Sequence, residues 1–60
     1  MSKTKLNLNR GDEVGYHGYQ VEIIEIFEDN SVVIEYLDGE CQGEQEWIDS
    51  DEALSELVPY

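Results

Sequence analysis

Sixty residues suffice for one small domain, and an apolar content of 40% separates the chain from disordered tails. Fifteen acidic residues face three basic ones, for a formal net charge of −12. A domain of this size buries about 60% of its unfolded surface, which supports one thin core and leaves little room for a deep enzyme pocket.

The chain opens on an arm, residues 1–10, that carries all three basic side chains: Lys3, Lys5 and Arg10. Leu6 and Leu8 alternate in it and could add an edge strand. Residues 11–60 then read as short β segments divided by turn signals. Gly11-Asp12 opens a strand at Glu13–Tyr16, and His17-Gly18 fits a two-residue hairpin turn in which glycine supplies the positive φ. Tyr19–Phe27 is rich in β-branched and aromatic residues. Val21 and Ile23 share a face, whereas Ile24 and Ile26 have the opposite parity. That switch predicts a β-bulge or sharp bend.

Glu28-Asp29-Asn30-Ser31 is the next turn and Ser31–Leu37 the third strand. Asp38-Gly39 predicts a hairpin into a fourth strand, Gln42–Ile48, anchored by Trp47-Ile48. The period then changes. Ser50 can cap a helical turn, with Asp51 and Glu52 where the helix dipole favours acids, and Ala53, Leu54 and Leu57 at helical spacing. Leu57–Tyr60 is a last extended segment, placed at an edge by Pro59.

Gly11-Asp12-Glu13-Val14, Val21-Glu22-Ile23-Ile24, Val32-Val33-Ile34 with Asp38-Gly39, and Trp47-Ile48 with Leu54, Leu57 and Val58 together resemble a small SH3-like barrel of the Tudor or KOW kind. The resemblance implies an all-β fold: a five-stranded barrel with one short helical turn before the last strand. It departs from nucleic-acid-binding KOW members in having no Lys or Arg after Arg10. It departs from SH3 domains proper in the shortness of the His17-Gly18 loop.

Charge narrows the function. From Gly11 onward the chain has 15 carboxylates and no Lys or Arg. Phosphate contacts need basic side chains, so direct nucleic-acid binding is excluded in its usual form. Carboxylates without internal partners face water, cations or a basic macromolecule. Three readings follow. Glu22, Glu28, Asp29, Glu35, Asp38, Glu40, Glu44 and Glu46 could imitate nucleic-acid phosphates, since alternate strand residues lie about 6–7 Å apart. The acidity could instead serve solubility or high salt. Finally, Asp49-Ser50-Asp51-Glu52 and Glu28-Asp29-Asn30 are dense in metal-type ligands, but neither has the spacing or central glycine of an EF-hand, and no metal site is expected.

Tyr16, Tyr19, Tyr36 and Trp47 could converge at one barrel end. In Tudor-like domains such a cluster cages a methylated lysine or arginine by cation–π attraction. The same aromatics could simply fill the core. His17 and Cys41, the single histidine and cysteine, make no convincing catalytic pair. A lone Cys41 also excludes an internal disulfide framework and a cysteine-cluster zinc site. No apolar run could span a membrane, and the first ten residues lack a signal peptide's apolar stretch, so a cytoplasmic protein is expected.

The sequence therefore predicts a non-enzymatic binding protein without a cofactor, monomeric or homodimeric. It would dock on a basic protein surface, most concretely as a phage-type acidic decoy of a DNA- or RNA-binding protein. The alternatives are an aromatic-cage reader of a cationic methylated peptide and a small accessory subunit of a larger complex.

Overall fold

A computed structural model describes residues 8–59. Most of the arm expected over 1–10, and Tyr60, lie outside these residues. Five strands and one helix follow in order: β1 (Glu13–Tyr16), β2 (Tyr19–Ile26), β3 (Val32–Tyr36), β4 (Gln45–Ile48), α1 (Ser50–Glu56) and β5 (Leu57–Pro59). The expected all-β character is present, as one antiparallel sheet in the order β4-β3-β2-β1-β5.

The expected barrel is not. The sheet is open, with β4 and β5 as its two edges. Closure needs a ladder between those edges. β5 has three residues and ends in Pro59, which has no N–H to donate, and β4 has four.

The first hairpin forms where the turn chemistry placed it. Tyr16 pairs with Tyr19, and both His17 (φ 53) and Gly18 (φ 85) take the positive φ that a type I′ turn requires. The predicted bulge lies in β2. Ile23 pairs with Ile34 but Glu25 with Val33, so Ile24 is the extra residue. The insertion returns Ile26 to the face of Ile23, where it packs against the core beside Val32.

β2 ends at Ile26 instead of Phe27, and β3 is Val32–Tyr36 instead of Ser31–Leu37; two further boundaries also differ from expectation. The fourth strand begins at Gln45 instead of Gln42, because Asp38-Gly39 does not close a tight hairpin. Residues 37–44 form successive turns instead, with Gln42 N–H donating to Gly39 O, Gly43 N–H to Tyr36 O and Glu44 N–H to Cys41 O. The helix cap is Asp49, not Ser50: its carboxylate accepts from the Glu52 N–H at 2.8 Å. Aspartate one residue earlier leaves Ser50 free to enter the first turn.

The core lies on one face of the sheet. It comprises Val14, Tyr16, Val21, Ile23, Val32, Ile34 and Ile48, completed by Ala53 of α1 and Leu57 of β5. Leu8 also packs against it, so the end of the arm belongs to the folded body. Burying side chains such as Ile23 and Ile34 stabilises the fold by about 1.5–3 kcal/mol each.

Candidate partner-binding face

Strand alternation that buries Val14, Val21, Ile23, Ile34 and Ile48 sends their neighbours to the other, outer face. Register then assembles a row that no single strand contains. Glu13 pairs with Glu22, Glu22 with Glu35 and Glu35 with Gln45. Three carboxylates thus lie side by side across β1, β2 and β3, on strands about 4.8 Å apart.

Directly opposed like charges repel. Amides at both ends soften that repulsion. Gln20 Nε2 donates to Glu13 Oε1 at 2.7 Å, and Gln45 Nε2 to Glu35 Oε1 at 3.2 Å. Glu22 sits between them. The next row on this face is Glu25, Val33 and Trp47. Arg10 reaches Glu25 at 3.1 Å in an exposed ion pair, and is the one Lys or Arg among the described residues.

Beyond that row the outer face becomes aromatic. Phe27 and Trp47 flank β3 from the β2 and β4 sides and are 43% and 57% exposed. With Glu28, Asp29 and Ser31 they line an open depression. Asp29 Oδ1 accepts from both the N–H (2.9 Å) and the hydroxyl (2.6 Å) of Ser31. These two bonds hold the Asp29 carboxyl below its ordinary pKa, the hydroxyl bond being the larger cause.

The aromatic set expected to converge divides between faces. Tyr16, Tyr19 and Tyr36 do gather on the inner side: Tyr36 lies 6.5 Å from Tyr16 and 5.8 Å from Tyr19, ring centre to ring centre. Trp47 is opposite Val33 on the outer face and is no part of that group. The tyrosine hydroxyls are also engaged. Tyr16 Oη donates to Glu52, and Tyr36 Oη to Glu46 at 2.7 Å. Burial first, and then these carboxylate acceptors, raise both phenol pKa values, that of Tyr36 to about 12. Tyr16 is 4% exposed and acts as a core residue.

The expected acidic set is distributed likewise. Glu22 and Glu35 stand together in the outer row. Glu28 and Asp29 occupy the turn before β3, whereas Asp38, Glu40 and Glu44 occupy the connection after it, at the opposite end of that strand. Glu46 turns toward Tyr36.

Sequence reasoning missed Glu13 and Phe27. Glu13 was within reach, because a two-residue turn at His17-Gly18 places residue 13 opposite residue 22. Phe27 read as the last residue of a strand, but β2 ends at Ile26 and Phe27 opens the turn.

His17 Nε2 lies 3.4 Å from Glu56 and 3.8 Å from Glu52, and its ring stacks on Tyr16, which joins the first hairpin to α1. Among the described residues, no group of three or more His, Cys, Asp or Glu is arranged to hold a metal ion, and no helix is long and apolar enough to cross a membrane. Comparison with protein-family models, curated proteins and solved structures yields no match.

Proposed function

We propose that this chain is a non-enzymatic acidic protein that docks on a basic protein surface, most concretely the nucleic-acid-binding surface of a DNA- or RNA-binding protein. One observation carries the reading. The row Glu13, Glu22 and Glu35 sets three carboxylates across one face of a body with no Lys or Arg after Arg10. Their spacing of about 4.8 Å from strand to strand is of the order of the charge spacing along a nucleic-acid strand, about 3.4 Å. A cationic groove shaped for phosphates meets comparable charge there. In the open sheet that carries the row, the last strand, β5, returns beside the first, β1.

Docking of this kind gains speed from long-range attraction and loses it as salt screens the charges. The test is a partner retained on the immobilised chain at low salt. That partner should be displaced by nucleic acid, and its association rate should fall steeply with ionic strength. Glu22→Gln with Glu35→Gln should slow association more than it speeds dissociation. Association indifferent to salt, or nucleic acid bound alongside the chain without competition, would refute the reading.

A further inference from the structure

The depression between Phe27 and Trp47 has features that charge alone does not explain. Two large aromatic side chains stand exposed on either side of one strand. Phe27 at the start of the β2–β3 turn and Trp47 on β4 line the same depression, with Ser31 also in its lining. The residue that lines it between them is small and buried: Ser31. Solvated aromatic surface of this kind is costly to leave uncovered, and here it is bounded by carboxylates. Asp29 accepts both Ser31 bonds on Oδ1, and among the described residues no donor reaches Oδ2. The same two bonds hold the Asp29 carboxylate against Ser31. Glu28 beside it lines the same depression.

We propose that Phe27, Trp47, Glu28 and Asp29 form a receptor for an arginine side chain presented by the basic partner. The proposal rests on the docking reading above and specifies its anchor point.

The chemistry selects arginine over lysine. A guanidinium is planar, stacks on aromatic faces and is weakly hydrated, so it gives up little water on entering a space between two rings. Its fork of N–H donors suits carboxylate oxygens, which Asp29 Oδ2 and Glu28 supply at the rim. An ammonium is a strongly hydrated point charge that gains no stacking and is satisfied equally well by the Glu13–Glu22–Glu35 row. The row attracts cations without distinction, whereas the aromatic depression distinguishes between them. Partner residues that enter such a site act as anchors surrounded by weaker contacts.

Trp47 is the single tryptophan of the chain and stands in the site, so its fluorescence reports occupancy directly. Two peptides of equal length and charge, one of arginines and one of lysines, are titrated into the full chain at low salt. The arginine peptide should bind more tightly by about three- to tenfold and shift or quench Trp47 emission. The lysine peptide should bind without changing that emission. Phe27→Leu keeps apolar bulk but removes the ring face, and should reduce the arginine-over-lysine preference. Glu28→Gln should weaken the arginine peptide selectively. Glu22→Gln should weaken both peptides alike.

Equal affinities with Trp47 emission silent to both would overturn the arginine receptor and leave the docking reading standing. Failure of both peptides to bind at low salt would overturn both. A preference that survives Phe27→Leu unchanged would locate arginine recognition elsewhere and likewise overturn this assignment.

Discussion

Glu22 stands directly opposite Glu35 in the β2–β3 ladder, two like charges facing each other in the middle of the sheet. Glu13 flanks Glu22 on its other side. A fold selected for stability alone would place an uncharged or basic residue here, since opposed like charges oppose folding. A basic partner of the kind proposed above would relieve that repulsion.

Replacing Glu22 by glutamine should therefore stabilise the fold. Relief of two unfavourable cross-strand pairs is expected to be worth about 0.2–1 kcal/mol each. Urea unfolding at low and at high salt measures it. The gain should be largest at low salt and should shrink as screening sets in. Loss of stability at low salt would mean that Glu22 makes a favourable contact outweighing the repulsion.

Gly39 supports the aromatic cluster from below. A Cβ at this position would lie 2.6 Å from Tyr19 Cε1 and 2.8 Å from Cδ1, and the backbone has φ +78. Gly39→Ala should lose about 1–2 kcal/mol for the left-handed conformation, plus the cost of displacing the tyrosine ring. Gly18→Ala is the matched control: its φ is +85, but no atom lies within 4 Å of the new methyl. Chemical denaturation of both variants should rank Gly39→Ala as the more damaging. Equal losses would show that the Tyr19 contact contributes nothing.

Alkaline stability should depend on Tyr36. Its phenol holds its proton to about pH 12 in the folded chain, against an ordinary value of 10.0, because of burial and its bond to Glu46. A raised folded pKa means stability that is complete below about pH 10 and is lost as the pH climbs toward about 12. Tyr16 is raised for the same kinds of reason, with Glu52 as its acceptor. Tyr36→Phe should make the alkaline fall about half as steep, since one of the two retained protons is removed. Denaturation midpoints taken up to pH 12, with phenolate absorbance followed in parallel, measure it. An unchanged slope would show that Tyr36 ionises freely in the folded chain.

Acid stability should depend on Asp29 with the opposite sign. Its folded pKa is depressed by the two Ser31 bonds, so its contribution is present above the ordinary value of 3.8 and disappears as the pH falls through the lower folded value. Protonating the other carboxylates relieves repulsion in a chain of charge −12, which acts the other way. The comparison with Asp29→Asn isolates the effect, because asparagine retains an acceptor for Ser31 without titrating. Below pH 3.8 the difference in stability between the two proteins should narrow. A constant difference across the acid range would show that Asp29 titrates alike in both states.

Local chemistry carried much of the fold. The His17-Gly18 turn, the parity switch at Ile24 and the edge position of Pro59 were all legible, because each depends on the backbone preferences of a few adjacent residues. The β3–β4 connection was not. Asp38-Gly39 has the composition of a two-residue turn, but Gly43 takes a second positive φ of 89 and the chain needs eight residues to return. Barrel closure was also misjudged, since it depends on whether two distant edges meet.

The division for this protein is between composition and register. Residue order alone established the segregation of charge, the absence of Lys and Arg after Arg10 and the run of short strands, since these are counts and short-range patterns. Which carboxylates become neighbours depended on cross-strand pairing. Glu22 meets Glu35 only because a single inserted residue and a particular turn length fix the alignment of β2 with β3. Moving Trp47 away from the tyrosines took no more than its parity beside Ile48, whose burial sends the indole outward. Side chains alternate across a sheet with period two, so a one-residue difference in alignment exchanges its faces. Only the folded backbone carries that information.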